Sequence, residues 1–141
     1  MPVRPLALAI VAVAAFAVMA CGGNDEPEEC PEGTDSWSEY QLFFGLSQSD
    51  GGTIAEEEWR AFLADTVTPR FPDGLTVISG NGQWRDSSGE ILREGSKLLI
   101  IYAPPGDEGR RAIDEISEEY ERRFDQESVL RVIGSACVSF S

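Results

Sequence analysis

The sequence contains no histidine among its 141 residues. That absence excludes imidazole general acid–base work, Ser-His and Cys-His nucleophile pairs, and the zinc and haem sites that histidine builds. Cysteine is scarce, limited to Cys21, Cys30 and Cys137, with no Cys-x-x-Cys spacing. A glycine-rich phosphate loop, a serine nucleophile elbow and a calcium-loop spacing are missing too. No cofactor and no metal are therefore expected. Basic residues are few: 11 Lys and Arg stand against 25 Asp and Glu, a net charge of −14. Such a surface repels phosphate backbones and anionic headgroups, so nucleic acid is not an expected partner. The simplest role of the charge is solubility.

No apolar run is long enough to span a bilayer. Leu6 to Ala20 carries no polar side chain, but it falls short of the ~20 residues a spanning helix needs. With Arg4 before it, the run fits the hydrophobic region of a signal peptide. It ends Val18-Met19-Ala20-Cys21, which resembles the lipobox of bacterial lipoproteins, although Met19 is unusual in its slot. Lipidation of Cys21 is expected; the alternative is ordinary cleavage near Ala20 that leaves a free thiol. Several acyl chains on one cysteine suffice for stable anchoring to the membrane. Arg4 is the only charge in the leader, so its removal leaves a mature chain near −15, from −14 − 1. Gly22 to Glu29 is too polar and charged to fold and reads as a self-repelling tether. The expected organisation is a signal peptide over 1–20, an acidic tether over 21–36 and one domain over 37–141. The expected address is the cell envelope, outside the cytoplasm. In a Gram-negative cell, Gly22 rather than Asp after the cysteine points to the periplasmic face of the outer membrane.

The whole chain is 42% hydrophobic, with three Trp, seven Phe and three Tyr, and the stretch beyond the tether holds all of these aromatics except Phe16, as a globular domain requires. Trp37 to Leu46 alternates as a strand, with Ser38, Tyr40, Leu42 and Phe44 on one face. Thr53 followed by Glu56 carries a capping-box signature, opening a helix that buries Ala55, Trp59, Phe62, Leu63, Thr66 and Val67. That helix must stop before Thr68-Pro69. A second strand is expected from about Leu75 to Trp84, with Gly80-Asn81-Gly82 marking a bulge or bend. Asp86 to Gly89 turns the chain into a third strand reaching Tyr102. Pro104-Pro105-Gly106-Asp107 ends it and opens a second helix with Ile113, Ile116, Tyr120 and Phe124 buried. Val129 to Phe140 supplies the last strand.

The order β-α-β-β-α-β predicts an α+β, ferredoxin-like sandwich: an antiparallel sheet with two helices on one face. Its strand order, 4-1-3-2, brings the end of the last strand beside the start of the first, and so Cys137 near Cys30. A disulfide between them is expected in an oxidising compartment; the alternative leaves Cys30 free in the tether. Leu98-Leu99-Ile100-Ile101 and Val129 to Ile133 place apolar groups on both sides of their strands. The face without helices thus needs cover. A sheet-to-sheet homodimer is the preferred source, as in dimeric α/β barrels. Cover by Cys30–Asp35, or a central strand that tolerates exposure, are the alternatives.

Several stretches carry a family resemblance. They include Leu42-Phe43-Phe44-Gly45, Glu58-Trp59-Arg60-Ala61-Phe62, Thr68-Pro69-Arg70-Phe71-Pro72-Asp73-Gly74-Leu75-Thr76-Val77, Gly82-Gln83-Trp84-Arg85 and Arg123-Phe124-Asp125-Gln126-Glu127-Ser128-Val129-Leu130. Together with Glu94 and Ser96-Lys97 they resemble the bacterial family catalogued as domain of unknown function 3574, over essentially all of 37–141. The resemblance implies secretion or lipid anchoring in many members and no assigned activity.

Candidate site residues follow from side-chain chemistry. Arg70 and Asp73 share a rigid loop, where the guanidinium could clamp an anion or the pair could merely fix the loop. Trp84 and Arg85 set an aromatic beside a cation, either a stacking platform or a core tryptophan at a bulge. Glu94 and Lys97 are three apart on a strand, hence on opposite faces unless Gly95 distorts it. A buried Lys97 would be a candidate base or nucleophile; an exposed ion pair is the plainer reading. Glu94 and Glu127 are candidate acid–base groups. The leading functional expectation is a non-catalytic envelope module binding an unknown small molecule or envelope protein. The alternative is a small cofactor-free enzyme of the dimeric α/β-barrel type, with a pocket between sheet and helices.

Overall fold

In the computed structural model, which describes residues 29–140, the expected element order is present. It runs β1 (Asp35–Gly45), α1 (Glu56–Phe62), β2 (Thr76–Arg85), β3 (Ile91–Ala103), α2 (Asp107–Phe124) and β4 (Leu130–Val138). The leader, Cys21 and the first part of the tether lie outside the described residues. No helix among the described residues is long and apolar enough to cross a membrane. The strands form one antiparallel sheet in the order β2-β3-β1-β4, the ferredoxin-like α+β arrangement.

Alternation decides which side is core. Tyr40, Leu42 and Phe44 of β1 and Leu99 and Ile101 of β3 are buried beneath the helices. Ile113, Ile116, Tyr120 and Phe124 of α2 close the same core, with Trp59 and Phe62 from α1. Tyr120 sits at the centre of the aromatic cluster, 4.6 Å from Phe44, 4.9 Å from Phe124 and 5.1 Å from Phe62 between ring centroids. Its hydroxyl donates to the Gly45 carbonyl at 2.7 Å. Burial, together with the charge of Glu94, pushes this phenol well above its ordinary range, so it stays a donor. Gly109 of α2 lets that helix approach β1: a Cβ there would lie 2.9 Å from the Tyr40 hydroxyl oxygen.

Four local details differ from expectation. The Thr53–Glu56 capping box does not form. The helix is capped two residues later, at Ala55, whose N–H donates to Glu58 at 2.8 Å; Glu56 is drawn away to Lys97. Ala55 is exposed and Leu63 half-buried. The helix continues past Phe62 as a π-helical stretch, Leu63–Val67, with Thr68 N–H donating to Leu63 C=O at 2.9 Å. The wider turn keeps both Thr66 and Val67 in the core before Pro69 ends the run. Third, β2 shows no bulge at Gly80-Asn81-Gly82, because pairing with β3 is unbroken from Thr76↔Ile100 to Arg85↔Ile91. Gly82 is needed for a different reason: the Trp84 ring folds over it and leaves no room for a Cβ. Last, β1 begins two residues earlier than expected, at Asp35. It pairs with the end of β4, Asp35↔Val138 and Ser36↔Cys137. The Cys30–Cys137 disulfide is present, with Cα atoms 5.5 Å apart, and ties the segment before β1 to the last strand.

Candidate functional site

A cleft of about 280 Å³ opens at one end of the sheet. Its floor and walls come from Trp37 near the start of β1, Tyr102 at the end of β3, the loop from Arg70 to Gly74, and Pro104 to Gly109 at the entry to α2. The rims are built from stiff and from permissive residues. Pro72, Pro104 and Pro105 fix backbone angles, while Gly74 (φ 155°) and Gly106 (φ 149°) hold angles that a side chain would strain. The loops therefore shape the cleft before any ligand arrives. Trp37, Tyr102, Asp73 and Glu108 are all among the residues that line it, and the Trp37 ring packs on Phe140 with centroids 5.6 Å apart. The Tyr102 hydroxyl donates to Glu39 at 3.1 Å; that hydrogen bond, with some burial and the carboxylate charge, raises the phenol above its ordinary value.

Arg70 lines the cleft, but its guanidinium is already engaged. Nε donates to Glu115 at 2.9 Å and Nη1 to the Thr66 carbonyl at 2.7 Å, pinning the loop to α2 and to the end of the π-helical stretch. It acts first as a loop clamp, and its partners do not include Asp73. Asp73, from the same loop, is exposed and also lines the cleft.

The other sequence candidates lie elsewhere. Trp84 is neither core nor bulge: it sits half-buried on the helix-free face, its Nε1 donating to Glu94. Glu94 also accepts the Ser47 N–H at 2.5 Å, and Gly45 makes space for its carboxylate. Both carboxylate oxygens are thus committed to holding the β1 exit against the β2–β3 hairpin, which is a structural role. Lys97 lies on the opposite face, as its spacing from Glu94 requires. Only 6% exposed, it is paired with Glu56 at 2.7 Å and Ser79 at 2.9 Å rather than standing as an exposed ion pair. It does not reach the cleft, which removes it as a nucleophile there. Arg85 is exposed at the last position of β2. Glu127 is exposed and accepts the Ser87 hydroxyl at 2.9 Å, joining a hairpin turn to the α2–β4 connection. Among the described residues, no cluster of three or more Asp, Glu, Cys or His is placed to hold a metal ion.

The Lys97–Glu56 contact gives a pH signature. The hydrogen bond from Lys97, and then its charge, hold the Glu56 carboxyl below its ordinary 4.5. A carboxyl depressed on folding stabilises above its unfolded pKa, and that contribution is lost as pH falls through the folded pKa. Urea midpoints measured from about pH 6 to about pH 3 should therefore fall more steeply for the parent chain than for Glu56→Gln. Identical slopes would dismiss the pair as a pH-dependent contributor.

Trp37, Tyr102, Pro104, Pro105 and Glu108 were not singled out from the sequence. The signal was present in part, since Pro104-Pro105-Gly106 directly follows the strongest apolar strand. What periodicity does not reveal is that Trp37 stands at the same end of the sheet.

The fold and this cleft define the chain as a small ferredoxin-like α+β domain with a preformed site at one end of its sheet. It belongs to the family described as Protein of unknown function (DUF3574), whose profile matches residues 39–140. No curated protein sequence matches the chain. Among solved structures it is similar to a phage SAM lyase in complex with S-methyl-5'-thioadenosine. The TM-score is 0.60 at 18% identity, over 81% of this chain and 95% of that one. It is also similar to a phage SAM lyase in the apo state, with a TM-score of 0.55 at 19% identity, over 80% of this chain and 97% of that one. At this identity the likeness is one of fold. The expectation of a non-catalytic binding module is corrected by it nonetheless: both of these structures, matched over nearly their whole length, are of an enzyme.

Proposed function

We propose that the chain is a small enzyme of the cell envelope that acts on a nucleoside-sized sulfonium or thioether compound in the cleft between Trp37, Tyr102, Asp73 and Glu108. The observation that carries this reading is a cleft lined by two aromatic and two acidic residues, Trp37, Tyr102, Asp73 and Glu108, whose rims are fixed by proline and glycine. A purine offers a flat face for Trp37 or Tyr102 to stack on. Ribose hydroxyls are donors for Asp73 or Glu108. A sulfonium is a cation, drawn to aromatic faces and to a chain of net charge −14.

The chemistry fits a chain without histidine. Breaking a carbon–sulfur bond of a sulfonium sends the bonding pair to sulfur and leaves a neutral thioether. The carbon that leaves sulfur takes a new bond from the substrate's own carboxylate oxygen and closes a lactone, so no oxidant, outside nucleophile or histidine base is required. The protein is left to orient the substrate and limit water, which shaped loops do well. The likeness to a lyase crystallised with S-methyl-5'-thioadenosine, a thioether nucleoside, supports this class. The apolar leader ending at Cys21 supports the address: a lipid anchor outside the cytoplasm, with the domain carried on the Gly22–Glu29 tether.

Incubation of the full chain with S-adenosylmethionine, read by mass spectrometry, should give time-dependent S-methyl-5'-thioadenosine. Release should fall at least ~10-fold in Trp37→Ala and recover in Trp37→Phe, because stacking is the contribution removed. Unchanged substrate over folded protein would overturn the assignment.

A further inference from the structure

Glu39 adjoins the cleft without lining it. On the helix-free face the register sets it directly between Tyr102 of β3 and Gly134 of β4. Trp37, two residues back on the same strand, shares that face about 7 Å away. The half-buried Glu39 carboxylate accepts twice through one oxygen: Oε1 receives Gln41 Nε2 at 2.9 Å and the Tyr102 hydroxyl at 3.1 Å. Both donors are neutral, so they orient the negative charge without cancelling it. Among the described residues, Oε2 receives no hydrogen bond and no Lys or Arg pairs with Glu39. The sheet offers no cation on this side, because Arg85, Arg93, Lys97 and Arg131 all alternate to the helix-bearing face. Glu94, the other carboxylate of β3 on this face, is already held by Trp84 and Ser47. On the β4 side Gly134 presents no side chain, and a Cβ there would meet nothing within 4 Å. The approach to Glu39 is therefore open, and its charge lacks a partner from the sheet.

We propose that Glu39 is the specificity residue of the site: its carboxylate takes the positive centre of a sulfonium ligand held beside Trp37 and Tyr102. The inference rests on the reading of the cleft as a sulfonium site and adds how that site tells substrate from product. A sulfonium has no N–H or O–H to donate, so only an opposite charge and aromatic rings can recognise it. Glu39 supplies the charge, with Trp37 two residues away and Tyr102 directly opposite. The Tyr102 hydroxyl is spent on orienting that carboxylate, which makes it a positioning group here. When the carbon–sulfur bond breaks, the positive charge disappears and the Glu39 contact goes with it. The neutral thioether is then held only by its flat and hydroxyl-bearing parts, which favours release.

The test is isothermal titration of the full chain in mild detergent with two unreactive ligands. Sinefungin carries an ammonium-bearing carbon where the sulfonium stands, and S-adenosylhomocysteine is the neutral thioether counterpart. The parent chain should bind sinefungin at least ~10-fold more tightly than S-adenosylhomocysteine. Glu39→Gln keeps an acceptor for Tyr102 and Gln41 but removes the charge. It should bring that ratio to about one while S-adenosylhomocysteine affinity stays within about two-fold. Glu57→Gln makes the same charge change at an exposed position of α1 and should keep the parent ratio. Aromatic circular dichroism of the core cluster monitors the fold of both variants. No preference in the parent, a preference that persists in folded Glu39→Gln, or one lost equally in Glu57→Gln would each overturn the role of Glu39. In those cases S-adenosylhomocysteine binding would leave the nucleoside reading of the cleft standing, whereas a parent chain that binds neither ligand would overturn both.

Discussion

Tyr120→Ala should lower the unfolding free energy by about 4–5 kcal/mol, and Tyr120→Phe by only about 1 kcal/mol. The two substitutions separate two contributions. Alanine removes a fully buried ring from the centre of a cluster in which Phe44, Phe62 and Phe124 stand within 6 Å of it, two of them edge-on. The cavity cannot collapse easily, because its neighbours are large rings held by β1, α1 and α2. It also strands the Gly45 carbonyl, which receives the Tyr120 hydroxyl at the point where β1 ends. Phenylalanine keeps the ring and removes only that hydrogen bond. Guanidinium melts of both variants, with m-values compared to check two-state behaviour, supply the numbers. Equal losses in the two variants would mean that the hydroxyl, not the ring cluster, organises the core.

Cys137→Ser should cost about 3–5 kcal/mol, because the bridge to Cys30 closes a loop with a sequence separation of 107. The chain-entropy model puts such a loop near ~4.7 kcal/mol, and measured values often fall below it. The loss has a local component as well. Cys137 pairs with Ser36, and Ala136 with Trp37, so the bridge braces the strand that carries one aromatic wall of the cleft. Reductant should therefore lower the melting temperature of the parent chain and leave Cys137→Ser unchanged. A parent chain indifferent to reductant would show that the residues around Cys30 and Cys137 are already held by the sheet.

Strand and helix order were legible in the sequence because the core is patterned at the proper periods. Tyr40, Leu42 and Phe44 repeat every second residue, and Ile113, Ile116, Tyr120 and Phe124 recur every three or four. From that order the sheet topology and the Cys30–Cys137 contact followed. Local choices were less legible where two uses of one residue compete. Glu56 can cap a helix or pair with Lys97, and the buried ammonium, worth more to satisfy than an exposed helix end, takes it. Gly80 and Gly82 can mark a bulge or make room; here the Trp84 indole occupies the space above Gly82 while the ladder stays regular.

The site was legible only through Arg70 and Asp73. Sequence drew attention to Trp84, Arg85, Glu94, Lys97 and Glu127 because these types carry chemistry. The fold disperses them over two faces of the sheet and a far turn. Trp37 and Tyr102 became site residues through long-range pairing: both lie at one end of adjacent antiparallel strands, 65 residues apart by subtraction of their numbers. No local pattern encodes that proximity.

If the cleft between Trp37 and Tyr102 holds a thioether nucleoside, amide chemical shifts locate the binding most directly. S-methyl-5'-thioadenosine titrated into the isotopically labelled chain should move the resonances of Trp37, Gly74, Tyr102 and Gly106 together, saturating at one concentration. Shifts confined to the neighbourhood of Trp84 and Glu94, or none at saturating ligand, would contradict it.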